Sequence, residues 1–110
     1  MRKIDIKPLS VNKCWQGKRF KTKEYISYEK KCILLLPKIK VGAPPYLLNI
    51  VFGFSSPLAD IDNGLKPFID ILQKKYEFND KDIVELNVKK EKTVKGKEFI
   101  LFEILTIINK

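Results

Sequence analysis

The sequence predicts an α+β fold, in which one domain spans residues 1–110 and a mostly antiparallel four-stranded sheet carries two helices on one face. Four segments have the apolar patterns of strands: 2–6, 46–54, 83–90 and 98–108. Two segments instead repeat apolar residues at helical spacing: 23–36 and 63–76. A chain of 110 residues can bury one core but is too short for two, so we expect a single domain.

The first third of the chain is predicted to hold a short strand, a long loop and a helix. Residues 2–6 alternate polar and apolar side chains, and Pro8 ends this strand. Residues 7–23 are expected to form a loop. Thr22 is a suitable N-cap for the helix that follows, because its hydroxyl can accept a hydrogen bond from a free backbone N–H. Pro37 ends that helix.

The middle of the chain is predicted to supply the central strand and the second helix. Residues 46–54 carry apolar side chains on both faces, which indicates a central strand with at least one face under helices. Pro67 is tolerated only in the first turn of a helix, where the backbone amides lack partners. The second helix therefore begins near Asn63, which places Asp62 at or next to the N-cap.

The last third is predicted to form two further strands. Residues 83–90 alternate as a third strand, and residues 98–108 form a long fourth strand. Lys95 and Gly96 lie between them with the composition of a hairpin turn. We therefore expect an antiparallel hairpin at the C-terminal end of the sheet.

The composition narrows the possible functions. There are 22 Lys and Arg against 13 Asp and Glu, and the net charge of +9 favours a polyanion such as nucleic acid. Histidine is absent, which excludes histidine-based catalysis and histidine-ligated zinc. The two cysteines lack zinc-site spacing, and Cys32 is expected to be a buried thiol. Without a signal peptide or an apolar run of about 18 residues, the protein is expected to be soluble and cytoplasmic, with no membrane partner.

Basic and aromatic residues alternate in the loop of residues 7–23. Such interleaving suits a phosphate backbone and exposed bases, so this loop is predicted to contact DNA. The predicted DNA-binding residues are Lys13, Lys18, Arg19, Lys21 and Lys23. The alternative is a solvated loop with no ligand. Trp15 taken alone is expected to pack in the core.

A group of acidic residues surrounds one lysine at the start of the second helix. The group comprises Asp60, Asp62, Lys66, Asp70 and Asp80. If the chain stays extended between Asp60 and Asp62, their side chains point the same way and need a cation between them. Oxygen ligands point to Mg²⁺ or Mn²⁺. The alternatives stay open: Asp62 as an N-cap, Asp60 and Asp80 as turn residues, and Asp70 as an ion-pair partner of a lysine.

These residues resemble a known family. The pattern Asp60-x-Asp62-Asn63-x-x-Lys66-x-x-x-Asp70, followed by Asn79-Asp80 before a strand, is similar to the RusA-type Holliday junction resolvases, which are encoded mainly by phages and prophages. The opening segment Lys7-Pro8-Leu9-Ser10-Val11-Asn12 and the Lys-rich residues after it are similar as well. The resemblance covers nearly the whole chain.

The resemblance implies a function and a role for each motif residue. It implies a homodimer that resolves four-way DNA junctions in recombination and repair by paired symmetric nicks, using Mg²⁺ or Mn²⁺ and no small-molecule cofactor. Asp60, Asp62 and Asp80 fall on the metal-binding positions, and Lys66 on the catalytic lysine. Asp70 matches a supporting acidic position, and Asp82 is the alternative third ligand. The two-fold symmetry of a junction gives an independent reason for a C2 dimer.

Two other functions remain open on the sequence alone. One is a basic DNA-binding module whose acidic residues are structural. The other is a metal-dependent nuclease for flaps or other branched DNA. Activity on matched DNA substrates separates the three possibilities.

Overall fold

The structure, a computed structural model, describes residues 1–17 and 20–108. The strands are β1 (Arg2–Ile4), β2 (Trp15–Gln16), β3 (Phe20–Lys21), β4 (Tyr46–Phe54), β5 (Ile83–Lys92) and β6 (Phe99–Thr106). The helices are α1 (Lys23–Leu35) and α2 (Leu65–Tyr76), and single 3₁₀ turns cover Val11–Lys13 and Asp80–Asp82. No helix among the described residues is both long enough and apolar enough to cross a membrane.

The main sheet is mixed, so the prediction of a mostly antiparallel sheet is wrong. Its order is β1-β6-β4-β5, with β4 antiparallel to β6 and parallel to β5. The parallel pair arises because α2 crosses over from the end of β4 and returns the chain to the beginning of that strand. The α+β class, the two helices and the four strands of this sheet agree with the sequence prediction.

The predicted hairpin at Lys95 and Gly96 is also wrong. A tight turn is present, because Lys97 N donates to Val94 O at 3.0 Å, and Gly96 adopts a positive φ of 91° that suits glycine. However, β5 and β6 lie on opposite sides of β4 and do not pair with each other. The turn therefore carries the chain past the end of β4.

The N-terminal loop contains structure that the sequence pattern did not predict. Strands β2 and β3 form a two-stranded antiparallel sheet, in which Trp15 lies opposite Lys21. Trp15 is 44% exposed, and its ring meets Tyr25 edge-on, so the expectation that it packs in the core is wrong. The neighbouring Cys14, by contrast, is fully buried.

Both helices begin and end for local reasons. The Thr22 hydroxyl accepts a hydrogen bond from Tyr25 N at 3.1 Å, which confirms the predicted N-cap of α1, and the helix stops before Pro37. The α2 helix begins at Leu65, two residues later than predicted, with Gly64 as its N-cap.

The core lies between the helices and one face of the sheet. Its centre is a row of three fully buried aromatic rings, Phe52 from β4, Phe68 from α2 and Phe102 from β6. Their rings meet edge-on, with centroid distances of 6.3 Å for Phe52–Phe68 and 5.8 Å for Phe68–Phe102. Cys32 of α1 is buried in the same cluster, as predicted. This core holds α2, and the acidic residues around it, against the sheet.

Candidate functional site

The acidic turn, residues 60–64, lies in the segment between β4 and α2, directly before the first residue of α2. It is folded into two successive turns: Asn63 N donates to Asp60 O at 3.1 Å, and Leu65 N donates to Asp62 O at 3.1 Å. The extended chain that would align the Asp60 and Asp62 side chains is therefore absent, although both residues are exposed. Asp62 is not the N-cap either, because that position belongs to Gly64 and no side chain caps the helix.

Lys66 lies between two carboxylates. Its Nζ is 2.9 Å from Asp70 Oδ1, one helical turn along α2, and 3.4 Å from Asp80 Oδ2 in the 3₁₀ turn after the helix. Lys66 remains 63% exposed, so the same ammonium group is accessible to a ligand from solvent. We call Lys66, Asp70 and Asp80 the Lys66 cluster. It brings Asp80, from the turn after α2, to two residues in the first half of the helix.

Gln73 holds the two acids of this cluster in place. Its Oε1 accepts a hydrogen bond from Asp80 N at 2.8 Å, and its Nε2 donates to Asp70 Oδ1 at 3.4 Å. Gln73 is not part of the motif that the sequence predicted. Its spacing could have identified it, because a residue seven positions after Lys66 and three after Asp70 lies on the same face of α2 as both.

The electrostatics of the cluster keep Lys66 charged. The hydrogen bond to Asp70 raises the pKa of Lys66 above its ordinary value; partial burial opposes this, and Asp80 adds a further increase. The amine is therefore protonated at neutral pH. An ammonium group that is charged at neutral pH suits the binding of a phosphate oxygen, and the charge excludes Lys66 as a general base at that pH.

The N-terminal segment packs directly on the acidic turn. Val11 N donates to Asn63 O at 2.8 Å, and a Cβ added at Gly64 would lie 3.3 Å from Pro8 Cβ and 3.3 Å from the Phe52 ring. A glycine at position 64 therefore permits the close approach of three segments. The opening motif and the acidic turn, which the sequence separates by about fifty residues, form one surface.

A cavity of about 250 Å³ opens between the N-terminal segment and the end of β4. Its lining includes Lys7, Ser10, Lys13, Ser55, Ser56 and Ala59. Two acids, Glu24 and Glu98, line it as well, so its charge is mixed. On the other side of the acidic turn, Lys90 of β5 donates from Nζ to Ala59 O at 2.8 Å. Basic side chains thus approach the acidic turn from two directions.

The predicted DNA-binding residues fall into three groups. Lys13 and Lys23 are exposed. Lys21 is 2.9 Å from Glu29 Oε2 and lies over the Tyr25 ring, so it has intramolecular partners. Lys18 and Arg19 lie outside the described residues.

The carboxylates suit Mg²⁺ or Mn²⁺ by their chemistry, but their arrangement does not fit a three-carboxylate site. Within residues 1–17 and 20–108, no three acidic or cysteine side chains lie close enough together to hold one metal ion. Asp80 pairs with Lys66, and the structure does not gather Asp60, Asp62 and Asp80 into one group. Asp82, the alternative ligand, ends the 3₁₀ turn, where its N donates to Asn79 O at 3.0 Å. Metal binding stays a prediction.

No protein-family model matches this chain, and the search of curated proteins found no match. The similarity to RusA-type resolvases therefore depends on the motif residues described above.

Proposed function

We propose that this protein is an endonuclease for branched DNA, with the four-way junction as its substrate and Lys66 as the residue that contacts the scissile phosphate. The observation that carries the proposal is the position of the Lys66 ammonium group, which is exposed and charged and lies between Asp70 and Asp80. Acting on a four-way junction would place the protein in recombination and repair.

The charge distribution supports a role in binding DNA. The net charge of +9 attracts a polyanion over long distances, and the Lys66 cluster adds a local site at which one anion can exchange for another. A phosphodiester oxygen can replace a carboxylate as a partner of the Lys66 ammonium group, because the ion pairs are solvent-exposed and worth little individually. Lys13 and Lys23 are available for further backbone contacts.

The requirement for Mg²⁺ or Mn²⁺ is part of the proposal. It is supported by the motif Asp60-x-Asp62 with the later Asp80, and by the absence of histidine, which leaves oxygen ligands for a divalent ion. The homodimer is likewise proposed from the two-fold symmetry of the substrate.

The decisive experiment is a cleavage assay on matched synthetic DNA. A four-way junction, a flap and a linear duplex of the same length are incubated with the protein at fixed salt, with Mg²⁺, with Mn²⁺ or with EDTA. We expect paired symmetric nicks in the junction, and only with a divalent ion. Preferential cutting of the flap would show that the preferred substrate is other branched DNA. A junction that stays intact under all conditions would refute the proposal that the protein is a junction nuclease.

Single substitutions then test the named residues. Asp60→Asn and Asp80→Asn should abolish cleavage while junction binding persists or tightens, because each change removes a negative charge near phosphate. Lys66→Ala should lower turnover more than affinity. The matched controls are Lys81→Ala, an exposed lysine next to Asp80, and Asp5→Asn, an exposed acid that pairs with Lys3. Equal losses of turnover and affinity in Lys66→Ala would show that Lys66 binds phosphate in the ground state and has no separate role in the cleavage step.

One observation favours a second candidate, a non-catalytic DNA-binding module. It is the lack of any three-acid group among the described residues. In this case Asp80 is a structural partner of Lys66, and the protein binds a junction without cutting it. Asp60→Asn and Asp80→Asn would then alter binding only, and the affinity would fall steeply with increasing salt.

A further inference from the structure

The β5 strand forms one edge of the main sheet. One side of β5 pairs with β4, and no strand in the described part of the chain pairs with the other side. The strand is ten residues long, whereas β1, at the opposite edge, has three. Two apolar side chains of β5 are exposed, Val84 at 64% and Leu86 at 39%. A long edge strand with exposed apolar residues is a template for pairing with another strand.

The sequence of β5 is complementary to itself in the antiparallel direction. Residues 85–89 read Glu-Leu-Asn-Val-Lys, with an acid and a base at equal distances from the central Asn87. If two copies of the strand pair antiparallel about Asn87, Glu85 of each copy lies opposite Lys89 of the other. Opposite residues share a face of the sheet, so each charged pair can form an ion pair.

Within residues 85–89, the two apolar residues follow the same symmetry, whereas Val84 faces Lys90. In this register Leu86 of each copy lies opposite Val88 of the other, on the other face of the sheet. The partly exposed Leu86 would then be covered by an apolar neighbour. If the two-fold axis lies at residue 88 instead, Glu85 of one copy lies opposite Glu91 of the other, and the two like charges repel. If the axis lies at residue 86, Glu85 lies opposite Asn87 and has no charged partner. The register about Asn87 is therefore the favoured one.

Lys89 and Lys90 of β5 do not prevent pairing at this edge. Lysines often protect an exposed strand from other chains. Here Lys90 Nζ donates to Ala59 O, directly before the acidic turn, at 2.8 Å, and Lys89 would face an acid in the pair. The Asn87 side chain donates to Asn49 Oδ1 at 2.9 Å, which directs it back toward β4.

We infer that a second copy of this chain docks on β5, so that two antiparallel β5 strands join the two sheets into one eight-stranded sheet with a two-fold axis at Asn87. Such an interface is isologous, since the same surface contributes from both copies. The inference depends on β5 alone and stands whether or not the protein cleaves DNA.

A charge-swap series tests this interface without DNA or metal. Sedimentation equilibrium at fixed moderate salt should show a dimer for the parent protein. Glu85→Lys and Lys89→Glu should each raise the dimer dissociation constant at least about tenfold, because each sets like charges opposite one another twice. The double variant Glu85→Lys with Lys89→Glu restores the opposite charges and should recover the dimer. Glu24→Lys, the same charge change on α1, is the control and should leave the dissociation constant unchanged.

Disulfide trapping provides an independent readout of the register. Cα atoms of directly opposite residues lie about 4.5–5.5 Å apart in an antiparallel pair, which is within the range of a disulfide. Asn87→Cys should therefore form a covalent dimer on mild oxidation. Both native cysteines are buried, and Ser27→Cys on α1 serves as the exposed control.

The outcomes separate clearly. Recovery of the dimer by the double variant, with selective trapping at position 87, supports the interface. A parent protein that is monomeric at all concentrations would overturn the interface. A dimer whose dissociation constant is unchanged by both charge reversals, or that forms disulfides equally well through position 27, would overturn it as well. Circular dichroism of each variant shows that it is folded.

Discussion

Glu29 joins three elements on the side of the molecule that carries the basic N-terminal segment. Its Oε1 accepts a hydrogen bond from Lys74 Nζ of α2 at 2.6 Å, and its Oε2 accepts one from Lys21 Nζ of β3 at 2.9 Å. Only 17% of the Glu29 side chain is exposed. Burial acts to raise the pKa of Glu29, but the hydrogen bonds from Lys74 and Lys21 outweigh it, so the pKa is lowered below 4.5.

We predict that Glu29→Gln destabilises the protein by about 1–2 kcal/mol at neutral pH. Glutamine keeps the size of the side chain and one acceptor oxygen but loses the charge that both lysines share. A charge-assisted hydrogen bond contributes about 1.5–3 kcal/mol, and the solvent exposure of Lys74 reduces that value. For a domain of this size the loss corresponds to a decrease in Tm of about 4–8 °C.

The stability difference between the parent and Glu29→Gln should decrease as the pH falls. Because the folded-state pKa of Glu29 is lowered, its stabilising contribution is fully present above the unfolded-state pKa, near 4.5, and is lost as the pH falls through the folded-state pKa. Thermal unfolding of the parent and of Glu29→Gln, followed by circular dichroism from pH 7 to pH 2.5, should show two curves that converge in acid.

The matched control is Glu24→Gln, an exposed acid on the same helix, which should cost less than about 0.5 kcal/mol. A difference between parent and Glu29→Gln that persists unchanged at pH 2.5 would refute the ion-pair explanation. A change in Tm no larger than that of the control would show that Glu29 does not join these elements.

Three further substitutions test the fold. Glu77 ends α2 with a positive φ of 56°, so Glu77→Gly should stabilise the protein by about 0.5–1 kcal/mol in urea unfolding, and a loss of stability would contradict this. A Cβ at Gly53 would lie 2.3 Å from the Phe99 ring, so Gly53→Ala should cost about 1–3 kcal/mol, and an unchanged midpoint would show that the ring moves freely. Phe68→Ala should cost about 3–5 kcal/mol in the same assay, and a cost below about 2 kcal/mol would be inconsistent with its place at the centre of the core.

Features that depend on neighbouring residues were predicted well. Thr22 and Pro37 act within one turn of the helix they bound, and their roles are confirmed. The apolar residues on both faces of 46–54 predicted a central strand, and β4 does pair on both sides.

Features that depend on how distant segments pair were not predicted. The pattern at Lys95 and Gly96 indicates a tight turn, which is present, but it does not specify which strands the turn connects in space. One local feature was missed as well. The spacing of Asp60 and Asp62 does not specify an extended chain, and local hydrogen bonds from Asn63 N to Asp60 O and from Leu65 N to Asp62 O fold that segment into turns.

The amino-acid order by itself determined the two helices, the four strands of the main sheet, the basic character and the presence of an acidic motif around Lys66, because these follow from periodicity, capping and charge along a continuous chain. Tertiary structure alone decided that β5 runs parallel to β4, that Gln73 and Lys66 hold Asp80, and that the N-terminal segment lies on the acidic turn. The physical reason is that such contacts form between residues far apart in the chain, when α2 buries its apolar face and carries the segments at its two ends to their places on the sheet.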